Sequence, residues 1–168
     1  MKPSALSLAL LLPALACGGG HAEADGTAGD RAVHSGGAKS VSATTRVLVY
    51  KTASCGCCNE WVEHLREAGF TVDTRDVVDL MSIKRDAGVS AAHASCHTAL
   101  ADGYVVEGHV PADQIERLLA ERPRVAGLAV PGMPVGSPGM EGPGAEPYQV
   151  LAFERGGGAT VWATVDPR

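Results

Sequence analysis

Three of the five cysteines in this 168-residue chain lie within four positions, in the motif Cys55-Gly56-Cys57-Cys58. The spacing of Cys55 and Cys58 is sufficient for thiol–disulfide chemistry, which needs only two sulfurs. Cys57 is surplus to that chemistry. A third sulfur so close to the other two indicates a site for a soft metal ion, because thiolates are soft ligands.

The residues around this motif predict alternating strands and helices. A β-branched and aliphatic run before it favours a strand, and apolar residues at helical spacing after it favour a helix that ends at Gly69. Asp102-Gly103 predicts a hairpin, and Pro111 suits the first turn of a third helix. The predicted fold class is therefore α/β and thioredoxin-like, in the order β-α-β-α-β-β-α, with a C-terminal loop rich in glycine, proline and methionine and an added β-hairpin. The predicted boundaries are 46–51, 70–78, 104–106, 148–153 and 160–165 for strands and 80–87 for the second helix.

A fourth cysteine, Cys96, is expected to join the motif from a distant part of the sequence. In thioredoxin-like folds the loop that enters the third strand carries a cis-proline packed against the dithiol; here that loop is Ser95-Cys96-His97 and has no proline. We therefore expect Cys96 to face the motif, so that four sulfurs converge. His97 could either cap the hairpin or ligate a metal. Three other histidines are expected at the surface or in hydrogen bonds: His64, His93 and His109.

A long segment over residues 130–143 is rich in glycine and proline and contains Met133 and Met140. A loop of this length in a compact domain tends to be functional or disordered. Thioethers are soft, neutral ligands that suit Cu(I). The two methionines are therefore candidate metal ligands, with exposed loop residues as the alternative interpretation.

The first residues of the chain predict export. Residues 1–16 have a short positive start, an apolar stretch and a small-x-small cleavage site, which are typical of a signal peptide. Cys17 follows directly, as in the lipobox of bacterial lipoproteins, so we expect it to be lipidated; the alternative is simple cleavage to a soluble periplasmic protein. Residues 17–44 have almost no large apolar side chains and are expected to form a disordered tether. Either route leads to an oxidising compartment, the periplasm.

Length and charge limit the remaining possibilities. The rest of the chain, 45–168, is enough for one modest domain. The formal net charge is −5 and no basic stripe is present, which argues against a nucleic acid partner.

Several longer motifs resemble the CopG-type copper-resistance proteins, once known only as a domain of unknown function. This resemblance implies a periplasmic, thioredoxin-like protein that holds several Cu(I) ions in a thiolate-bridged cluster. It also implies copper ions as the main partner, with other periplasmic copper-handling proteins as further partners and contact with the membrane through a lipid anchor only. The motifs are Cys55-Gly56-Cys57-Cys58, Ser95-Cys96-His97-Thr98, Glu107-Gly108-His109-Val110-Pro111-Ala112, Gly127-Leu128-Ala129-Val130-Pro131-Gly132-Met133-Pro134 and Gly136-Ser137-Pro138-Gly139-Met140-Glu141. The positions matching the family's cysteines are Cys55, Cys57, Cys58 and Cys96, and His97, Met133 and Met140 fall at other motif positions.

Two other classes of protein stay open. A thiol–disulfide oxidoreductase would use Cys55 and Cys58 as catalytic residues, although the missing proline counts against a substrate groove of that kind. A structural zinc module would close a tetrahedral shell with four thiolates, a geometry that the adjacent Cys57 and Cys58 make awkward. Enzymatic activity is also open, because a dithiol beside copper could change the oxidation state of the metal as well as sequester it.

Overall fold

The structure is a computed structural model that describes residues 45–168. The predicted signal peptide, the lipidation site at Cys17 and the tether lie outside the described residues. Within the described part, no helix is long and apolar enough to cross a membrane. The elements are β1 (Arg46–Lys51), α1 (Gly56–Glu67), β2 (Thr71–Asp76), α2 (Leu80–Asp86), β3 (Thr98–Ala101), β4 (Tyr104–Glu107), α3 (Ala112–Glu121), β5 (Gly127–Ala129), β6 (Tyr148–Phe153) and β7 (Ala159–Val165).

All seven strands belong to one sheet, in the order β2-β1-β3-β4-β5-β6-β7. The β1–β2 and β4–β5 pairs are parallel, and the other neighbours are antiparallel. The chain is therefore a mixed α/β protein, and its elements follow the predicted order β-α-β-α-β-β-α through α3.

The two faces of the sheet are buried differently, because successive strand residues point to opposite sides. The larger core packs α1 and α3 against one face, with Trp61 and Ile115 fully buried against Val106 and other strand residues. The other face carries a small cluster around Val105 and Phe153. This second face is where polar side chains enter the interior.

Most predicted boundaries agree with the structure to within one residue, and larger differences occur at two places. The second strand ends at Asp76 rather than at residue 78, where Val78 is fully exposed. The short strand β5 was not predicted. It pairs so closely with β4 that a Cβ at Gly127 would lie 1.8 Å from the carbonyl oxygen of Val105. Through β5, the predicted C-terminal hairpin of β6 and β7 becomes part of the same sheet.

Candidate metal centre

The cysteine motif occupies the start of α1. Cys55 is the N-cap residue in an extended conformation, and its backbone N–H donates to the carbonyl of Thr52, 3.1 Å away. Cys57 and Cys58 therefore lie in the first helical turn, where unpaired backbone N–H groups and the helix dipole favour negative charge. Cys58 is fully buried, whereas Cys55 and Cys57 are half-buried. The motif thus sits at the boundary between core and solvent.

Two of the three sulfurs in this motif are joined. Cys55 and Cys58 form a disulfide, and Cys57 is a free thiol whose sulfur lies 3.6 Å from that of Cys55. The start of α1 therefore holds a disulfide and, in van der Waals contact with it, a third sulfur that is a free thiol.

Cys96 meets this motif from the other side. Strand β3 runs antiparallel to β1, with Thr98 opposite Tyr50, so the residues before β3 lie at the same sheet end as those after β1. As a result, the sulfurs of the four cysteines all lie within 4.8 Å of one another. Cys96 is also a free thiol.

Two histidines complete the group. The sulfur of Cys96 lies 2.9 Å from Nε2 of His109 and 3.3 Å from Nδ1 of His97. Nδ1 of His109 is 2.7 Å from the carbonyl oxygen of Pro138 and must donate to it, which leaves Nε2 as an unprotonated nitrogen facing the sulfur. His97 is fully buried beside the Trp61 ring, and its Nε2 has no hydrogen-bond partner among residues 45–168.

His109 was expected at the surface or in a hydrogen bond. The surface interpretation is wrong, since His109 is fully buried, and the hydrogen bond is present. The pairing of β3 with β4 explains its position: Thr98 lies opposite Glu107, so residues after β4 return to the segment that carries Cys96. The Asp102-Gly103 turn signal, extended along both strands, could have identified this contact.

Burial sets the protonation of these groups in the absence of metal. It raises the pKa of the Cys96 thiol to about 11, and the nearby Cys57 adds to the effect. Burial lowers the pKa of His97 far below its usual value, with smaller contributions from His109 and Lys84. It also lowers the pKa of His109. Both imidazoles are therefore neutral and able to ligate, whereas a metal that binds Cys96 must displace a proton.

The methionine-containing segment closes over the first turn of α1. A Cβ at Gly139 would lie 2.6 Å from the carbonyl oxygen of Cys57 and 2.8 Å from the backbone nitrogen of Trp61. Only glycine fits there, in a left-handed conformation at φ +82°. The half-buried Met140 follows directly, and its backbone is hydrogen-bonded to both Gly136 and Ser137.

Met133 is placed differently. It follows Gly132, which pairs with Ser95 beside Cys96, but the Met133 residue is 52% exposed. The segment thus places Met140 next to Gly139, which packs on α1, and leaves Met133 at the surface.

The fold and the sulfur–imidazole group define an α/β protein with a cysteine-rich centre suited to a soft metal. The family described as "Protein of unknown function, DUF411" matches residues 93–140, which include Cys96, both buried histidines of the centre and both loop methionines. No curated protein matches the chain.

Two solved structures are similar to this chain, each at 45% sequence identity. "Copper resistance protein copG- Form 2" has a TM-score of 0.68, with 72% of this chain and 98% of that chain covered. "Copper resistance protein copG- Form 1" has a TM-score of 0.67, with 71% and 96% covered. The chain therefore belongs to the CopG-type copper-resistance family, as its motifs predict.

Proposed function

We propose that this protein is an exported copper-resistance protein that holds Cu(I) in a multinuclear, cysteine-bridged site. The observation that carries the proposal is the approach of four cysteine sulfurs to within 4.8 Å of one another. Thiolates select soft ions such as Cu(I), and the similar solved structures are copper resistance proteins.

The crowding of the sulfurs favours more than one ion. Cys57 and Cys58 are adjacent in the first turn of α1, and Cys55 is 3.6 Å from Cys57, sulfur to sulfur. Three sulfurs on such a short piece of backbone, together with Cys96 from a distant segment, do not easily surround one ion tetrahedrally. Sulfurs shared between several Cu(I) ions relieve this constraint. The neutral nitrogens of His97 and His109 are available beside Cys96 as further ligands, and the loop that carries Met140 lies against α1.

The disulfide couples copper binding to thiol oxidation. While Cys55 and Cys58 are joined, only Cys57 and Cys96 among the described cysteines offer thiols. Reducing the disulfide takes two electrons and two protons and yields two more thiols. In the reverse direction, one dithiol reduces two Cu(II) ions to Cu(I), forms the disulfide and releases two protons. The site could thus change the oxidation state of its copper cargo, and an external dithiol would restore the reduced form.

Anaerobic titration with Cu(I) tests the main proposal. The fully reduced protein should bind more than one Cu(I) per chain, and the protein with the Cys55–Cys58 disulfide should bind fewer. The reduced Cys57→Ser variant, which removes one of the four sulfurs, should bind fewer Cu(I) ions per chain than the reduced wild type. Saturation at one ion, or preference for Zn(II) in competition, would reject the multinuclear site.

Export and lipid anchoring are also part of the proposal. They rest on the signal-like residues 1–16 and on Cys17. Expressed from its full gene in a Gram-negative host, the protein should be acylated and sediment with membranes, and Cys17→Ala should release it to the soluble periplasm. A fully soluble, unmodified wild-type protein would support simple signal cleavage instead.

One observation favours a second candidate function, thiol–disulfide exchange with other proteins. The Cys55–Cys58 disulfide lies at the start of a helix, where Cys55 is half-buried and Cys58 is fully buried. Insulin reduction by a dithiol measures this activity directly. Robust turnover combined with no copper binding would replace the copper proposal by this one.

A further inference from the structure

A buried ion pair lies directly behind the segment that carries Cys96. The ammonium of Lys84 in α2 contacts the carboxylate of Glu107 at the end of β4, and both side chains are almost completely buried, at 3% and 0% exposed. Glu107 follows Val105 by two residues, on the sparsely covered face of the sheet. None of the sequence motifs assigned a purpose to Lys84.

The pair directs most of its other hydrogen bonds to one short segment, residues 95–98. Glu107 accepts from the backbone N–H of Ser95 at 2.6 Å and from the hydroxyl of Thr98 at 2.7 Å. Lys84 donates to the same Thr98 oxygen at 3.1 Å and to the carbonyl of His97 at 3.4 Å. The residues before and after Cys96 are therefore all bonded to the pair.

A contribution to the free energy of folding does not by itself explain why this ion pair is buried. Burying two charges costs desolvation energy that their attraction often only offsets, and well-packed apolar side chains commonly replace such pairs without loss of stability. Here Lys84 and Glu107 bond to each other and to backbone and hydroxyl groups of the residues on either side of Cys96. Such a pattern of hydrogen bonds is explained if the pair fixes the position of that segment.

We propose that Lys84 and Glu107 are positioning residues that clamp segment 95–98, so that the sulfur of Cys96 is held against the α1 cysteines and His109. The pair contacts no sulfur itself and acts through the backbone on either side of Cys96. This inference rests on the proposed function, because the held geometry matters for a site to which Cys96 contributes a ligand.

The test uses a double variant of the full chain, Lys84→Met with Glu107→Leu, which removes both charges and leaves no unpaired buried ion. Its matched control is Arg46→Met with Asp73→Leu. That exposed pair joins β1 to β2 at the opposite end of β1 from the cysteines. Thermal unfolding establishes that each variant is folded. Should the buried double variant not fold, Thr98→Val, which removes one bond to each member of the pair, takes its place.

The first readout needs no copper. In the oxidised, metal-free protein, alkylation by iodoacetamide is followed at Cys57 and Cys96 separately by peptide mass mapping. We expect Cys96 to react about tenfold faster in the buried double variant, a change equivalent to one lost hydrogen bond to a charged group. Cys57, which lies on α1, should keep its wild-type rate, as should both cysteines in the control. Equal acceleration at both cysteines would indicate general loosening and overturn the proposal, as would an unchanged rate at Cys96.

The second readout is Cu(I) affinity of the reduced proteins, measured against a Cu(I) chelator. The buried double variant should bind about tenfold more weakly, and the control should match the wild type. If the wild type binds no Cu(I), the proposed function fails, but the alkylation rates still decide whether the pair positions Cys96. If the wild type binds and the variant binds equally well, the positioning role is overturned while the proposed function stands.

Discussion

The two sides of the metal centre are built in opposite ways. Three cysteines reach the α1 side through local structure, because they lie within four residues at the start of one helix. The other side is assembled from distant segments. Glu107 accepts a hydrogen bond from Ser95, next to Cys96, and His109 donates to the carbonyl of Pro138. We infer that the α1 side is robust to substitutions elsewhere in the chain. The Cys96 side should respond to changes in residues that touch no sulfur.

The largest expected effect comes from Cys96 itself. Cys96→Ser is nearly isosteric, but a hydroxyl is a hard and poor ligand for Cu(I). The reduced variant should bind fewer Cu(I) ions per chain or bind them much more weakly, as measured by anaerobic titration. Its thermal stability should stay close to that of the wild type, because Cys96 is only half-buried.

The same variant separates the two candidate functions. A protein-disulfide exchange enzyme would keep its activity in Cys96→Ser, because Cys55 and Cys58 are intact. Unchanged copper binding together with robust insulin reduction in both proteins would reject a copper cluster that includes Cys96 and would favour the exchange enzyme. Loss of copper with little insulin reduction in either protein is the expected result.

The next effect probes the loop that covers α1. Gly139→Ala should destabilise the protein because the new Cβ would collide with backbone atoms of Cys57 and Trp61. Gly144 is a matched control, since it has nearly the same φ, +81° against +82°, but no atom within 4 Å of the added Cβ. Gly144→Ala should cost about 1 kcal/mol for the left-handed conformation alone.

Gly139→Ala should cost about 1–3 kcal/mol more than that control, the usual penalty of overpacking. Chemical denaturation of both variants measures the difference. Equal losses would show that the loop does not pack on the helix as the structure has it.

The sequence was informative wherever the structure is local. Apolar spacing and composition predicted the strand before the cysteine motif and the helix after it. The Asp102-Gly103 turn and the C-terminal hairpin follow from turn residues. In contrast, β5 is only three residues long, too short for a periodic pattern, and depends on a glycine that allows close contact with Val105.

Residues brought together by long-range contacts were harder to predict. Cys96 could be placed beside the motif because an assumed order of elements put its loop there. His109 was not placed there, because a histidine after a strand is compatible with the surface until the register of β3 and β4 is derived from the Asp102-Gly103 turn. The burial of Lys84 likewise depends on Glu107 across the fold, since the apolar residues beside each of them predict an element but do not reveal that the two charges pair.

A smaller effect is expected at His109. His109→Gln keeps a polar side chain but loses the nitrogen that faces Cys96 at 2.9 Å. Cu(I) affinity should fall about tenfold, which is typical for loss of a residue that orients or supplements a metal ligand. Competition with a Cu(I) chelator measures the change. His93→Gln is the control, since His93 is also buried but bonds to Ser90 and packs against Phe153. Equal effects of the two variants would assign His109 a purely structural role.

The smallest effect distinguishes the two methionines. Met140 follows Gly139, which packs on α1, and is half-buried, whereas Met133 is 52% exposed. Leucine has a similar volume and no sulfur, so Met140→Leu removes a ligand atom with little change in packing. Cu(I) affinity should fall by less than about tenfold in Met140→Leu, because a thioether is a weak, neutral ligand. Met133→Leu should bind like the wild type in the same chelator competition. A larger loss from Met133→Leu than from Met140→Leu would mean that the exposed end of the loop, and not the end packed on α1, reaches the copper.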